Sequence, residues 1–552
     1  MFGIVAAALT GLCQVQASLA IPHVSAPTVQ LDKAIFTGSS TGNVSRFLGI
    51  PYAQPPVGNL RFQRPLMHLP YSGHYNVTAF GPSCIQQTDS VTIPYNISPS
   101  ALEVIEAVFG SYSTGPDNYD EDCLTINVIV PAGVSAHAKL PVVMWIYGGG
   151  FEFGQTADPS TDGGAIVQRS IDIGLPIIYV SANYRVSGFL AGKEVQDAGV
   201  GNLGLRDQRE ALRWLQKYIS AFGGDPKKVT IWGQSAGAVS VSLQMVTNGG
   251  NNEGLFRAAF MESGSPFPVG PITESQPAYD AFVLNAGCSH ANNTLQCLRE
   301  APISSIRAAI NDSTSVLSFS SVSLAYQWGP SADGDFLKDD PQKLVLQGSV
   351  SPVPLVSGDC DDEGTLFSLS NANITTDQEV QDYISKYFVR NMPNASSVEK
   401  LLQLYPSDPA QGSPFDTGLQ DAITPQYKRL AAIQGDLIFQ APRRFFLQHR
   451  SSKQTIYSYL SKRDKTTSVL GSYHGTDMQI IYGGGDLGDY LIRFVATLNP
   501  NSNTSLHWPT YSPSSPQLLT LLDGPTPLEI TNDTYRAAAF DYVTQLLLED
   551  PL

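Results

Sequence analysis

Val229-Thr230-Ile231-Trp232-Gly233-Gln234-Ser235-Ala236-Gly237-Ala238-Val239 reads as a buried strand, a glycine-flanked turn and the opening of a helix. Val229, Ile231 and Trp232 are residue types that suit a strand covered on both faces, and the small and apolar residues over 236–245 predict a helix. The bare spacing G-x-S-x-G is weak evidence, since chance gives roughly 0.2 matches in a chain of this length. Its flanks raise the weight. A strand–turn–helix holds a serine in a strained conformation with its hydroxyl exposed, and only small neighbours let the two backbones approach that closely. The helix N-terminus also places positive potential where negative charge can develop. The blander alternative is an ordinary glycine-rich turn between a strand and a helix.

Further buried strands are predicted at 142–147, 177–181, 258–261, 353–356 and 455–459, with a helix over 205–222 between two of them. Such alternation predicts the α/β class: a large, mostly parallel sheet with helices on both faces. Capping-box spacing marks two more helices, Thr376 with Glu379 and Ser396 with Glu399, and a last helix is expected over about 534–548. No internal repeat and no low-complexity linker occurs, so 21–552 is expected to be one large domain.

The chain has 552 residues, with 33 Lys and Arg against 49 Asp and Glu, a formal charge of −16. That balance, without any clustered basic patch, excludes nucleic acid as a partner. Apolar residues make up 42% and charged residues 15%, which excludes a mostly disordered chain. Beyond residue 20 there is no apolar run of the ~18 residues that a spanning helix needs, and the C-terminus is too polar for a lipid-anchor signal.

Residues 1–20 are expected to be a secretory signal: an apolar stretch from Phe2 to Leu12, then Ser18-Leu19-Ala20 as a small-x-small cleavage pattern. The start amine must supply the missing charge of its leading end; the alternative is a buried N-terminal helix. Sequons at Asn43, Asn76, Asn96, Asn292, Asn311, Asn373, Asn394, Asn503 and Asn532 support a secreted, extracellular, glycosylated protein. Cys13 leaves with the signal. Cys84, Cys123, Cys288, Cys297 and Cys360 remain, an odd number whose pairing stays open, with Cys84–Cys123 and Cys288–Cys297 the nearest-neighbour choice. No Cys/His spacing suits zinc, so no metal is expected.

Trp145-Ile146-Tyr147-Gly148-Gly149-Gly150-Phe151 ends a strand in three glycines, a loop able to aim backbone N–H groups at one point. A phosphate cradle is the rival reading, and the absence of a following Lys-Ser/Thr argues against it; the bland reading is a flexible loop.

At these residues the chain resembles the type B carboxylesterase/lipase family of α/β-hydrolases, which includes secreted fungal lipases, sterol esterases and cholinesterases. Phe47-Leu48-Gly49-Ile50-Pro51-Tyr52-Ala53, with Pro55-Pro56-Val57-Gly58 and Leu60-Arg61-Phe62, is similar to the family's N-terminal signature, and Glu121-Asp122-Cys123-Leu124 to its second. Asn183-Tyr184-Arg185, the stretch Gly201-Asn202-Leu203-Gly204-Leu205-Arg206-Asp207-Gln208, and Phe222-Gly223-Gly224-Asp225-Pro226 continue the likeness. The resemblance implies an α/β-hydrolase fold, the disulfides Cys84–Cys123 and Cys288–Cys297, and ion pairs Arg61–Glu121 and Arg185–Asp207. It also implies a serine ester hydrolase that needs no cofactor.

Such a serine needs a base, and the base an orienting carboxylate, in the chain order Ser, acid, His. Of the later histidines, His474 lies in a small-residue loop after a strand, whereas His449 reads as a helix end, His507 as a packed loop and His290 comes too early. The family's His-Gly motif also points to His474. In Asp359-Cys360-Asp361-Asp362-Glu363-Gly364 four carboxylates compete, most of them expected to be solvated loop charges or caps. The resemblance selects Glu363, leaving Asp333 and Asp335 as turn residues. The expected site is therefore Ser235, Glu363 and His474, with the N–H groups of Gly149, Gly150 and Ala236 as oxyanion hole. Ser263 is a candidate to hydrogen-bond the acid, and Cys360 is expected to be buried and inert.

Two departures count against choline esters. Gln234 stands where many relatives have Glu, and no tryptophan occurs between Cys84 and Cys123. Within that loop Leu102, Ile105, Val108 and Phe109 form one apolar helical face, with Ile93 and Ile97 upstream. A permanently packed surface helix is the bland reading; a lid that opens onto lipid is the functional one, as the resemblance to fungal lipases implies. The expected substrates are apolar, lipid-like acyl esters met at a lipid interface, with feruloyl, aryl or small esters as the alternative. A non-catalytic, cholinesterase-like binding protein is the competing class, disfavoured because the serine, acid, histidine and glycines are all present.

Overall fold

Segments whose apolar residues run almost unbroken need cover on both faces. They pair in the middle of an eleven-stranded sheet in the computed structural model, which describes residues 26–87, 99, 102–103, 118–186, 188–316, 328–388, 395–501 and 506–552. From one edge to the other the strands are Leu528–Asn532, Gln517–Leu521, Ile456–Ser461, Leu355–Cys360, Ala258–Glu262, Gly224–Gln234, Leu140–Ile146, Ile178–Ala182, Thr125–Pro131, Val44–Pro51 and Ser39–Thr41. Every pairing from Gln517–Leu521 through to Ile178–Ala182 is parallel, and the outer pairings are antiparallel. Thr28–Leu31, Lys33–Thr37 and Ser72–Asn76 form a separate small sheet. The parallel centre and its covering helices are those of an α/β-hydrolase.

All six expected buried strands are present, and their differences in extent are instructive. The strand that leads to Ser235 begins at Gly224, five residues before the apolar run, because Leu140 on the neighbouring strand pairs with Gly224 despite the charges at Asp225, Lys227 and Lys228. The strand expected at 353–356 runs instead over Leu355–Cys360, through Ser357 and Asp359. Those polar residues are fully buried, and Arg443 holds Asp359 at 2.7 Å. The helix expected over 205–222 is Leu203–Tyr218 followed by a 3-10 turn, and the last helix starts late, at Ala537, after Arg536 takes a left-handed φ of 47°. The Thr376–Glu379 capping box forms, whereas Ser396 lies inside the helix Ala395–Leu404 and so does not cap it.

The expected covalent and ionic staples are in place. Cys84–Cys123 and Cys288–Cys297 are disulfides, and Cys360 is free and buried. Arg61 grips Glu121 bidentately at 2.6 and 2.7 Å and also donates to the carbonyls of Leu298, Arg299 and Ala301, tying the segment after the second disulfide to the N-terminal signature. Arg185 grips buried Asp207 at 2.6 and 2.7 Å. A planar guanidinium suits both places because its fork satisfies both carboxylate oxygens.

Asn43, Asn76, Asn292, Asn311 and Asn532 are exposed and Asn373 is half-buried. Asn96, Asn394 and Asn503, the signal 1–20, and the expected lid helix apart from Leu102 and Glu103 lie outside the described residues. No described helix is long and apolar enough to cross a membrane.

Candidate active site

The C-terminal ends of the parallel strands gather four connections on one side of the sheet's middle. Gly148–Gly150 follows the strand Leu140–Ile146, Ser235 the strand Gly224–Gln234, Glu363 the strand Leu355–Cys360, and His474 the strand Ile456–Ser461. A crevice beyond these ends is where open α/β sheets place ligands.

Ser235 sits between its strand and the helix Ala236–Val246 with φ 57° and ψ −128°. This conformation costs a non-glycine residue about 1–3 kcal/mol and persists only where the surroundings impose it. Here the surroundings do so. The Ser235 N–H donates to the Glu262 carbonyl at 2.9 Å, and its carbonyl accepts from Val239 N–H at 2.9 Å. The flanking glycines are there for close approach: a Cβ on Gly233 would lie 2.4 Å from the Gly237 backbone, and one on Gly237 only 2.0 Å from the Ile146 carbonyl oxygen.

The expected acid, Glu363, and the expected base, His474, meet directly. His474 Nδ1 lies 2.5 Å from Glu363 Oε2, and Glu363 Oε1 accepts the Cys360 N–H at 2.7 Å. The carboxylate keeps the proton on Nδ1, so Nε2 of the neutral ring is an acceptor. Phe367 and Phe439 pack on the imidazole with centroids 5.2 and 4.7 Å away. Asp362 stitches the two loops together: its N–H donates to the Ser472 carbonyl at 3.0 Å, and its Oδ2 accepts the Ser472 N–H at 2.9 Å. The N–H groups of Gly149, Gly150 and Ala236 have no hydrogen-bond partner among the described residues. Their loop is as crowded as the serine turn: a Cβ on Gly149 would meet the Phe153 carbonyl oxygen at 2.2 Å.

The carboxylates around Glu363 correct one expectation. They are not solvated: Asp359, Asp361 and Asp362 are all buried. Arg443 holds Asp359, and Lys465 holds both Asp361 and Asp362 at 2.6 Å. Helix 441–450 and the loop 462–473 cover the strand end, and a charge taken from water must be paired. Glu363 is the one of the four that has no Lys or Arg partner among the described residues, which leaves it for His474. Asp333 is indeed a turn residue, accepting the N–H groups of Asp335 and Leu337, and both aspartates pair with Arg206. Ser263 is a strand-end serine: its buried hydroxyl makes no hydrogen bond among the described residues, and so does not reach the acid. His449 caps its own helix through the Phe445 carbonyl, and His507 is exposed rather than packed.

Sequence reasoning missed the second layer. Phe439 and Gln440 reach the site from a π-helical turn, Asp436–Gln440, with the Gln440 amide donating to the carbonyls of Cys360 and Asp361 at 3.0 and 3.1 Å. Pro442, just beyond, lacks the N–H that a regular helix would use, and a proline inside a helical run is the signal that could have found this turn. Also missed was a buried carboxylate pair behind the triad. Glu262 accepts from Trp232 Nε1 and Asp477 from Tyr459 Oη, while Glu262 Oε2 and Asp477 Oδ1 are buried without a donor. Burial, then Asp477, push the Glu262 carboxyl well above its usual range, and burial, then Glu363, push Asp477 up to about 6. Burial likewise pushes the Cys360 thiol up, which keeps it inert.

A raised folded-state pKa means that the folded protein binds the proton more tightly than the unfolded chain. The pair's contribution is therefore fully favourable below the unfolded value of about 4 and is lost as pH rises through the folded value. Glu262→Gln imitates the protonated carboxyl. It should raise the unfolding temperature at pH 8 and change it little at pH 5, as calorimetry at the two pH values will show; equal shifts at both would contradict the pairing.

The cleft over Ser235 and His474 encloses about 340 Å³. Phe153, Val316, Leu366, Phe367 and Met478 line it with apolar surface, while Asp158 and Gln479 bring polar groups to the cleft.

A strained serine turn, a histidine on a buried carboxylate and backbone N–H groups without partners among the described residues, gathered at the C-terminal ends of the parallel strands, form the arrangement expected of a serine hydrolase on an α/β-hydrolase fold. Comparison with known proteins narrows the class. The Carboxylesterase family model matches residues 25–542, and the chain belongs to that family: it is a carboxylic ester hydrolase. It is 41% identical over 517 residues to Lipase 5 of Diutina rugosa, covering 90% of this chain and 92% of that one. It is 42% identical over 549 residues to Secreted lipase 1 of Botryotinia fuckeliana, covering 94% and 93%. Among solved structures, Aspergillus niger EstA superposes with a TM-score of 0.79 at 27% identity, covering 96% of this chain and 100% of that one.

Proposed function

We propose that this protein is a secreted lipase-like esterase in which Ser235, His474 and Glu363 hydrolyse esters of apolar acyl chains. The observation that carries the reading is the 2.5 Å contact of His474 with a buried Glu363, without a Lys or Arg partner among the described residues, at the same end of the parallel strands as the strained Ser235 turn. Ser235 Oγ attacks the ester carbonyl carbon while His474 Nε2 takes its proton, and Glu363 stabilises the resulting imidazolium. The N–H groups of Gly149, Gly150 and Ala236 receive the oxyanion; each such donor is worth about 2.7–4 kcal/mol in the transition state. Collapse expels the alcohol with the proton from His474, and water repeats the sequence on the acyl-enzyme.

The apolar residues lining the cleft support long acyl chains, and the secreted relatives support the reading of 1–20 as a signal and 21–552 as the mature hydrolase domain. The loop closed by Cys84–Cys123 is the proposed lid, meeting lipid at an interface. A panel of esters tests the substrate. Octanoyl esters should exceed acetyl esters at least ~10-fold in kcat/KM, since each buried methylene contributes to transition-state binding, and dispersed lipid or detergent should raise the rate. Faster acetyl hydrolysis with no response to detergent would overturn the lipid reading. Phe153, Phe367 and Tyr473 in the cleft favour aryl esters as the second reading, and a feruloyl ester in the same panel separates the two.

A further inference from the structure

His474 Nε2, the nitrogen that must take the serine proton, faces a different side chain. Gln234 Nε2 lies 3.2 Å from it, and no hydrogen bond joins His474 to Ser235. Because Glu363 keeps the ring proton on Nδ1, the Nε2 lone pair accepts from the Gln234 amide. The amide is not placed there loosely. Gln234 is buried, and Gly148 leaves room for it: a Cβ there would lie 3.0 Å from Gln234 Oε1 and 2.7 Å from the Gln234 carbonyl oxygen.

We propose that Gln234 is a positioning residue that holds His474 in a resting hydrogen bond away from Ser235, so that acylation starts only when the amide is displaced. The proposal rests on the reading of Ser235 and His474 as nucleophile and base. One lone pair cannot serve two donors, so the Gln234 bond must break before Ser235 Oγ–H can make its own. Once the imidazolium forms, Nε2 carries a proton and the amide N–H opposes it, so the resting bond is lost throughout the charged stage. A carboxylate at this position would behave oppositely: it has no proton to donate to the neutral ring and attracts the imidazolium. Its field would add to that of Glu363, which bonds the ring, and of Asp477, which acts on it through space, whereas Phe367 and Phe439, which cover it, carry no charge.

The test is the labelling rate of the full-length protein by a small alkyl fluorophosphonate. In that reaction the Ser235 Oγ–P bond forms, the P–F bond breaks, fluoride leaves and the serine proton goes to His474. Gln234→Met keeps the side-chain length and removes the donor, and should label ~2–10-fold faster at pH 7, the factor that corresponds to one net hydrogen bond. Gln234→Glu should move the acidic limb of the labelling profile to higher pH. A side chain that merely fills space would leave the limb where it is. A Gln234→Met rate at or below that of the wild type, with the unfolding temperature unchanged, overturns the proposal alone, and so does an unmoved limb in Gln234→Glu. A wild-type Ser235 that takes no label overturns the assignment of the nucleophile, and the proposal with it.

Discussion

Ser235→Ala is expected to lower kcat by about a million-fold while the protein folds normally. The two halves of this expectation have separate grounds. The hydroxyl is the only group at the turn that can form the acyl-enzyme, and losing a nucleophile costs as much as losing the whole catalytic set because the groups act as a unit. The fold is spared because the Ser235 hydroxyl makes no hydrogen bond among the described residues, while the strained φ of 57° is imposed by backbone bonds that alanine keeps. Steady-state hydrolysis of an octanoyl ester, together with the unfolding temperature, checks both. Retention of even a hundredth of the activity in a homogeneous sample would show that another residue carries the acyl group.

Glu363→Gln is expected to cost about ten-thousand-fold in kcat, by presenting the wrong tautomer. The Cys360 N–H donates to Oε1 of residue 363 at 2.7 Å, so an amide there will turn its oxygen to Cys360 and its NH2 to His474 Nδ1. The ring must then accept at Nδ1 and carry its proton on Nε2, where it cannot take one from Ser235. Size and burial are unchanged, so the unfolding temperature should move little. A kcat within tenfold of the wild type would mean that the acid is elsewhere, with Asp477, buried three residues after His474, the next to test.

Much of this enzyme was legible in its residues, because the constraints involved are local. The alternation of apolar runs with helical stretches requires a covered parallel sheet, and a serine between Gly233 and Gly237 requires small neighbours wherever a strand turns tightly into a helix. Short separations in the chain made Cys288–Cys297 and the Thr376–Glu379 cap readable in the same way. The choice of acid was not local: four carboxylates within five residues are alike in sequence, and family likeness rather than chemistry picked one. Only the tertiary structure supplies the reason, by bringing Arg443 to Asp359 and Lys465 to Asp361 and Asp362 and leaving Glu363 for a histidine 111 residues away. The same holds for Asp359, whose polarity ended the predicted strand too early because its partner, Arg443, lies 84 residues along the chain. The aromatic packing on His474 and the bond of Gln234 to its ring are likewise contacts between distant segments, and Glu262 and Asp477 act on each other only because burial removes the water around both. A side chain's own chemistry states what it can do, and the water removed from around it states which of those things it does.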